Sequence, residues 1–595
     1  MLKKRAKNGH GQTKIELPKQ PQADDKIVVW AEMVFLAAIG LLYSLHFLQH
    51  FVFPNSDFVS FLETGRKWLS FETPDVMKRA PLFSIITALL AEIFNYPGGS
   101  LLGTGIYNAI MLPVAMVLIY LIAKQFLGKA AVWTALLAGI TPMMVYQSSD
   151  LLAEMTLIVL LAATAIAVGK NTRWAYVFAM LGSIARWDLV PLLAIVPLLD
   201  FIRTRKWLKP VLYTAAASIP FAFCMLITLS KYQAQISGEH YLYILSDERS
   251  FELLKDLSFY SQIICSFFLA PILTVSNTSQ AVPFEALNSA IYISCSTILA
   301  VTVLGGILLA FLKKQWALIT LILAAIPYIA VHSFYPFHIM RFSVPFAWVG
   351  LLLAAYSLII FWQWFRSLKK PIFIEPALKI LGAILFAVWA VKIYETLGYA
   401  NKQCPIILRL AIISCIVIIF SFFILEFLRR AKPSLSWLTI PSFFLLAVFS
   451  NASSTGFLMR DGQNDASFKQ LMINFRTYAK PSDKLLTTMA GFGPVFTNLP
   501  QDRFVHISLI SPDEAKDFDE FIAKCRELGV TLIAWDSRLY NKVNDRYHKI
   551  WGMDRWDALS APYLGQRVTR IGPCVLVDVI ADRWPVILVY RIMPE

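Results

Sequence analysis

The chain has 595 residues, of which 57% are hydrophobic and only 16% are charged, and its mean hydropathy is +0.59. Soluble globular proteins carry about 25% charged residues, so much of this surface faces something other than water. The net charge of +15 does not indicate a nucleic-acid-binding protein, because the lysines and arginines stand in short clusters between apolar runs. Runs of about twenty apolar residues recur, which predicts an α-helical polytopic membrane protein.

The chain begins with a polar, basic segment, residues 1–27, which predicts a disordered cytoplasmic tail. The apolar run that follows, from Ile27 to Phe51, is too long for the core of a signal peptide. No clear small-residue cleavage site follows it, so we interpret it as a retained first span.

The basic clusters predict the number and direction of the spans. With the N-terminus inside, the strongest clusters all fall inside if the chain crosses the bilayer about thirteen times. Residues 28–452 then form the transmembrane domain, and the C-terminus lies outside. The spans with bounds read from the sequence are 101–123, 130–147, 151–169, two short ones within 174–202, 209–229 and 436–452.

Two long outer loops are expected, at residues 54–100 and 230–285. Within the first, the apolar segment from Pro81 to Phe94 is too short for a span and is more typical of an interfacial or re-entrant helix. Counting it as a span would place every later basic cluster outside, which the positive-inside rule opposes.

Residues 453–595 are richer in polar residues and predict a small extracytoplasmic α/β domain. The expected elements are a helix at Glu514–Leu528 that Gly529 ends, and strands at Thr531–Trp535, Val575–Val579 and Pro585–Tyr590. No Walker or Rossmann glycine pattern occurs in this domain. Cys525 and Cys574 are able to pair in an oxidising compartment, although the sequence does not fix the distance between them.

Asp57 opens an amphipathic helix in the first outer loop, where large apolar residues and Gly65 recur at helical spacing. Two interpretations remain open. As an N-cap, Asp57 belongs to a residue type that is favoured at helix starts, as do Asn55 and Ser56. As a general base at the bilayer surface, its partial desolvation would suit proton transfer.

Lys78 and Arg79 stand just before the short apolar helix that Pro81 begins. Two cations in an outer loop are unusual by the positive-inside rule. Cations beside a helix N-terminus suit a substrate phosphate, and the alternative is contact with anionic lipid headgroups.

Asp150 and Glu154 are expected to share a helix face, at i and i+4, where the fourth span begins. Capping explains Asp150. Glu154 would sit about one turn deeper, where a bare carboxylate is costly, so it requires a metal ion, an Arg partner or a donor sugar.

Two further places combine charged side chains near the predicted outer face. Arg186 and Asp188, at the turn between the fifth and sixth spans, form either a structural ion pair or part of a site. His338 and Arg341 stand at i and i+3 where the tenth span begins. His338 is either a satisfied interfacial residue or part of the site, and Arg341 is a candidate second phosphate ligand.

Together these motifs resemble the GT-C superfamily of polytopic glycosyltransferases, and most of all the branch that holds protein O-mannosyltransferases and lipid A aminoarabinose transferases. The resemblance covers about residues 28–450. It rests on Asp57 soon after the first span, the Lys78-Arg79-Ala-Pro-Leu-Phe stretch, the Pro142…Tyr146…Glu154 turn, and His338-Ile-Met-Arg341-Phe342-Ser-Val-Pro345. Two departures are Phe58, where the family often has a second acidic residue, and Phe342 in place of Tyr.

The resemblance implies inverting transfer of a sugar from a polyprenyl-phosphate donor to a lipid, glycan or protein acceptor, at a plasma membrane. Asp57 would orient or deprotonate the acceptor hydroxyl, and Glu154 would bind a divalent metal ion or a sugar hydroxyl. Lys78, Arg79 and Arg341 would hold the departing phosphate, where fixed cations lower a barrier most. The rival interpretation is a transporter or flippase of a lipid-linked substrate, which more often shows internal repeats.

Overall fold

The computed structural model describes residues 25–48, 53–55, 57–74, 79–232, 285–333, 344–367, 405–429, 465–510, 514–540, 559–560, 562, 568–581 and 585–594. Its α-helices up to residue 232 are α1 (Asp25–His46), α2 (Asp57–Leu69), α3 (Pro81–Ile93), α4 (Gly99–Leu127), α5 (Ala131–Gly139), α6 (Pro142–Ser149), α7 (Glu154–Gly169), α8 (Trp174–Ala185), α9 (Leu192–Thr204) and α10 (Leu208–Tyr232). From residue 285 onward they are α11 (Glu285–Leu312), α12 (Trp316–Ser333), α13 (Val344–Ser367), α14 (Pro405–Leu428), α15 (Ala466–Tyr478), α16 (Gly493–Thr497), α17 (Phe518–Glu527) and α18 (Ser537–Tyr540). The strands are β1 (Leu485–Thr487), β2 (Phe504–His506), β3 (Leu532–Asp536), β4 (Arg570–Ile571), β5 (Cys574–Ile580) and β6 (Ile587–Ile592).

Several helices have the length and composition of membrane spans, so the chain is a multi-pass membrane protein. Among the described residues, four helical stretches qualify, namely Lys26–His46, Gly99–Gly139, Leu208–Ile227 and Pro345–Trp364. A fifth qualifies if the bent pair α6 and α7 counts as one span. The total of about thirteen remains a prediction, because residues 368–404 and 430–464 lie outside the described part of the chain.

The predicted second and third spans correspond to a helical hairpin. Gly128 follows α4 with a φ of +57°, a conformation that glycine adopts without steric cost, and it reverses the chain into α5. Gly139, at the end of α5, lies against the side chain of Met116 in the middle of α4. The two helices are therefore antiparallel, and α6 follows α5 after a break at Ile140 and Thr141.

The predicted pair of short spans is present as two short helices, α8 and α9, with the turn at Arg186–Pro191. They have 12 and 13 residues, which at 1.5 Å per residue gives roughly 20 Å each. A hydrocarbon core is about 30 Å thick, so these helices are short for full crossings. Their passage across the membrane stays a prediction.

Close helix contacts form the transmembrane core. A Cβ added to Gly40 of α1 would lie 2.7 Å from the Cα of Pro113 in α4, and one added to Gly306 of α11 would lie 2.2 Å from the carbonyl oxygen of Leu353 in α13. Lipid tails are as apolar as the side chains, so such close backbone packing, and not the hydrophobic effect, holds membrane helices together.

A buried carboxylate ties three helices together at the predicted inner face. Glu32 of α1 is fully buried and accepts a hydrogen bond from Tyr120 of α4. Its carboxylate also pairs with Lys124 of α4 at 2.8 Å and with Arg429, directly after α14. Arg429 in turn pairs with Glu426 at 2.5 Å. The carboxylate is buried without the cost of a bare charge, because two cations and a hydroxyl surround it.

The C-terminal domain is built on one mixed sheet, in the order β2-β1-β3-β6-β5-β4. β1 is parallel to β2 and β3, whereas β3, β6, β5 and β4 are successively antiparallel. The predicted helix is present as α17, and Gly529 ends it with a φ of +74°. The predicted strands are present as β3, β5 and β6.

The suggested disulfide is not formed. Cys525 and Cys574 are both free thiols, buried in one apolar core on the same side of the sheet. Burial raises the pKa of Cys574 to about 11, so this thiol stays protonated and unreactive at neutral pH.

The C-terminal domain packs directly on the segment between α1 and α4, which holds the predicted first outer loop. The ring of Phe53, at the end of the first span, lies 4.3 Å from the ring centroid of Phe492 and 5.5 Å from that of Phe496. The backbone N–H of Gly98 donates to the carbonyl of Val495 at 2.8 Å. Phe53, α2 and α3 thus share an apolar core with the C-terminal domain, which fixes α2 and α3 against that domain.

Candidate active site

The first candidate pair, Asp57 and Arg79, is brought together by the packing of α2 on α3. Gly65 of α2 lies so close to α3 that an added Cβ would stand 1.9 Å from the carbonyl oxygen of Ser84. This contact places Arg79, two residues before α3 begins, beside the first residue of α2. The Arg79 guanidinium donates to the Asp57 carboxylate and to the hydroxyl of Ser60 at 3.3 Å.

The hydrogen bonds at the start of α2 help to distinguish the two interpretations of Asp57, as a helix N-cap or as a general base. The side-chain oxygen of Asn55 accepts a hydrogen bond from the backbone N–H of Asp57 at 3.0 Å, so Asn55 provides a side-chain cap at this helix start. The Asp57 carboxylate is engaged by Arg79. The side chains of Asp57 and Arg79 remain 24% and 11% exposed, so a ligand is able to reach the pair from the surface.

The surroundings of Arg79 favour an anion. Its guanidinium lies 4.7 Å from the ring centroid of Phe61, which covers one face of the planar group. Pro81 occupies the first turn of α3, and the preceding Ala80 provides no side-chain cap. A guanidinium beside an uncapped helix N-terminus is an arrangement that binds phosphate or carboxylate groups.

The second candidate cluster joins Glu154, Arg186 and Asp188. Glu154 begins α7 and is 2% exposed, and its carboxylate pairs with the Arg186 guanidinium at 2.9 Å. Arg186 also pairs with Asp188 at 2.7 Å. Of the partners expected for a buried Glu154, the structure supplies the arginine. The described residues contain no group of three His, Cys, Asp or Glu side chains that could hold a metal ion.

The expected helix face shared by Asp150 and Glu154 is wrong. α6 ends at Ser149 and α7 begins at Glu154, with a bend of 116° between them. Asp150 follows α6, and its backbone N–H donates to the carbonyl of Tyr146 at 2.9 Å. The residue that directly precedes α7 is Ala153, which makes no side-chain cap. Asp150 therefore does not cap the fourth span.

Asn108 of α4 stabilises the bend between α6 and α7. Its buried side-chain amide donates to the carbonyls of Asp150 at 2.6 Å and Leu152 at 3.1 Å. Irregular backbone within a membrane domain is tolerated only where protein groups donate hydrogen bonds to its carbonyls.

Gln147 in α6 is 1% exposed, and neither atom of its side-chain amide has a hydrogen-bond partner among the described residues. Neither amide was among the residues predicted from the sequence, although polar residues inside apolar spans are a recognised signal of function.

A small apolar cluster links the two ion-paired groups. Phe61, which contacts Arg79, packs edge-on against Phe83 of α3 with ring centroids 5.0 Å apart. The same cluster contains Leu152 and Ala153, the two residues before Glu154. One apolar cluster thus contacts Arg79 on one side and adjoins Glu154 on the other.

A cavity of about 530 Å³ lies between the transmembrane domain and the C-terminal domain. The bend contributes Ser149 and Leu151, and the turn between α3 and α4 contributes its residues 96–98. α15 contributes two cations, Lys469 and Arg476. The cavity has the volume of a ligand pocket and basic groups on its C-terminal-domain wall.

The predicted site residues divide into three groups. The structure pairs Asp57 with Arg79, and it joins Glu154, Arg186 and Asp188. Asp150 lies at the bend, buried and outside both ion-paired groups. The predicted residues outside the described part of the chain are Lys78, His338 and Arg341.

Two crystal structures of ArnT from Cupriavidus metallidurans are similar to this chain. One, bound to undecaprenyl phosphate, is 12% identical with a TM-score of 0.50, and the match covers 96% of this chain and 98% of that one. The other, in the apo state, is 14% identical with a TM-score of 0.52 and coverages of 94% and 97%. No protein-family model and no curated protein matches the chain. At such low identity the likeness shows the fold, which is that of the GT-C glycosyltransferases that the sequence motifs resemble.

Proposed function

We propose that the protein is a membrane glycosyltransferase that moves a sugar from a polyprenyl-phosphate donor to an extracytoplasmic acceptor, with inversion. The observation that carries this proposal is the Asp57–Arg79 pair, a carboxylate and a guanidinium at the starts of two helices in the outer loop. The GT-C fold supports it, and one of the similar ArnT structures contains undecaprenyl phosphate.

Arg79 is the proposed phosphate-binding residue. Its guanidinium already binds one anion, the Asp57 carboxylate, and the phosphate of the donor would compete for the same N–H groups. Lys78 is its neighbour in sequence and would add a second charge. As the bond to the sugar breaks, charge accumulates on the departing phosphate, so fixed cations at this position stabilise the transition state more than the ground state.

Asp57 is the proposed base. When Arg79 moves toward the donor phosphate, the Asp57 carboxylate is released to accept a hydrogen bond from the acceptor hydroxyl. The acceptor oxygen then bonds to the anomeric carbon from the face opposite the phosphate. The carbon–oxygen bond to the phosphate breaks with its electron pair, polyprenyl phosphate leaves, and the acceptor proton goes to Asp57.

Glu154 is proposed to orient the sugar. Arg186 holds the Glu154 carboxylate at 2.9 Å, so its geometry is fixed without the need for a metal ion. Hydroxyl groups of a sugar are natural donors to such a carboxylate. The acceptor is proposed to enter through the cavity beneath α15, which adjoins the bend just before Glu154.

Binding of the donor and transfer of its sugar together test this proposal. Arg79→Ala should weaken the binding of a polyprenyl-phosphate sugar about 10- to 150-fold, because a charge-assisted hydrogen bond contributes about 1.5–3 kcal/mol. Arg66→Ala is the matched control, since Arg66 is exposed near the other end of α2. Membranes that contain the wild-type protein should release polyprenyl phosphate only when an acceptor is present. Donor binding that is equal in wild type and Arg79→Ala would refute the phosphate-binding role.

A further inference from the structure

A second cavity, of about 360 Å³, lies where α7 and α9 end and α8 and α10 begin. This is the end of the bundle that the basic clusters predict to be cytoplasmic, far along α7 from Glu154. Its wall carries four cations and one carboxylate, namely Arg173, Arg203, Lys206, Lys209 and Asp200. The remaining lining residues include two tyrosines, Tyr176 and Tyr213.

The one carboxylate of this wall is already engaged. Asp200 accepts a hydrogen bond from the Tyr176 hydroxyl at 2.7 Å. Among the described residues, none of the four cations lies within salt-bridge distance of a carboxylate. The cavity wall therefore has an excess of positive charge that the described chain leaves unneutralised.

Two of the cations have a structural role, and two do not. Arg203 donates to the carbonyl of Val168 in the last turn of α7 and lies 5.2 Å from the ring centroid of Trp316. Arg173 lies 5.6 Å from the ring centroid of Tyr213. Among the described residues, the side chains of Lys206 and Lys209 make no hydrogen bond and no contact with an aromatic ring, so they are free to bind a ligand.

The surface around the cavity places it at the level of lipid headgroups. Trp174 and Trp207 flank it and are 61% and 64% exposed. Exposed tryptophans are typical of the boundary between headgroups and acyl chains. Beyond Trp207, α10 continues with exposed apolar residues, including Val211 at 52% and Leu212 at 58%. A ligand that fits both surfaces has an anionic head and an apolar tail.

We propose that this cavity binds the phosphate of an anionic phospholipid from the adjoining leaflet, with the acyl chains along α9 and α10. The positive-inside rule accounts for cations near helix ends, but it does not account for four of them that converge on one cavity. Basic pockets between membrane helices recognise anionic headgroups by this chemistry. The bound lipid would join the ends of four helices, two of which are only 12 and 13 residues long.

The test uses the purified full-length chain in detergent and native mass spectrometry to measure bound lipid. Phosphatidylglycerol should bind, and phosphatidylcholine should bind much more weakly. Lys206→Gln/Lys209→Gln should weaken phosphatidylglycerol binding roughly 25-fold, because each cation contributes about fivefold at a membrane surface. Lys313→Gln/Lys314→Gln is the control, since this exposed basic pair after α11 does not line the cavity.

Three results would overturn the proposal. The first is equal binding of phosphatidylglycerol and phosphatidylcholine. The second is an equal loss in the Lys313/Lys314 control, which would mean that surface charge alone attracts the lipid. The third is inorganic phosphate that displaces phosphatidylglycerol at comparable concentration, which would assign the cavity to a soluble phosphate. The unfolding temperature of each variant in detergent shows whether it has folded.

Discussion

Replacing Asp57 by Asn tests whether this carboxylate is a base or only a structural group. Asn keeps the size of the side chain and its ability to accept a hydrogen bond, but it loses the charge and the basicity. Because Asn55 supplies a side-chain cap at the start of α2, the substitution should affect helix capping little. The change therefore acts mainly on the ion pair with Arg79 and on proton transfer.

The expected magnitudes of the two effects differ. The pair is partly exposed, at 24% and 11%, so its contribution lies at the low end for charged hydrogen bonds, about 1–1.5 kcal/mol. Loss of a general base lowers the rate by about 10²–10⁴, which corresponds to roughly 3–5.5 kcal/mol in the barrier. The small loss of stability from the broken ion pair is expected in both cases, so turnover distinguishes them: a structural role predicts near-normal turnover, whereas a base predicts little turnover.

The assay follows sugar transfer to acceptor in membranes, together with thermal unfolding of the purified chain. Glu63→Gln is the control, because Glu63 is an exposed carboxylate on the same helix. Asp57→Ala should fail as completely as Asp57→Asn if the base is essential. An Asp57→Asn protein that transfers sugar at the wild-type rate would refute the catalytic role of this residue. If the acceptor is itself a phosphate, it needs no deprotonation, and the rate would show no acid limb.

Three further predictions concern stability and topology. Arg186→Leu removes the guanidinium that lies between two carboxylates, so it should destabilise the protein by about 3–5 kcal/mol as measured by unfolding. Adding Glu154→Gln to this variant should restore part of the lost stability, because one of the two unpaired charges is then removed. Burial raises the pKa of Asp483, but the Lys480 N–H, Thr531 and Arg591 lower it more, so the pKa is below its usual value. The ionised Asp483 carboxylate therefore stabilises the folded protein at neutral pH, and this stabilisation is lost as the pH falls below about 4. Asp483→Asn should flatten that acid loss, and unchanged pH dependence would contradict the assignment. A reporter after residue 595 should be active outside the cytoplasm, and cytoplasmic activity alone would refute the odd number of spans.

Local elements followed from the sequence because local chemistry determines them. The helix that ends at Gly529 and the strands around Trp535 and Tyr590 were predictable from capping and from apolar β-rich runs. The first-loop helix begins at Asp57, as its amphipathic spacing indicated. The GT-C resemblance rested on short motifs and on layout, and the fold agrees with it.

Long-range pairings did not follow from the sequence, because tertiary packing sets them. Asp57 and Arg79 are 22 residues apart, and their contact depends on Gly65 letting α2 approach α3. The shared face expected for Asp150 and Glu154 assumed a continuous helix, and the bend removed it. That bend depends on the amide of Asn108, which comes from a different helix more than 40 residues earlier.

The Glu32 network has a consequence for the order in which the chain is made. Tyr120 and Lys124 leave the ribosome about 90 residues after Glu32, but Arg429 follows 397 residues later. At about 5–20 residues per second, Glu32 waits roughly 20–80 s for its arginine. During that interval the packed pair of α1 and α4 supplies the carboxylate with one cation, Lys124. The arrival of α14 then adds the second cation, so a chain that stalls before residue 429 holds this buried carboxylate with only one of its two cationic partners.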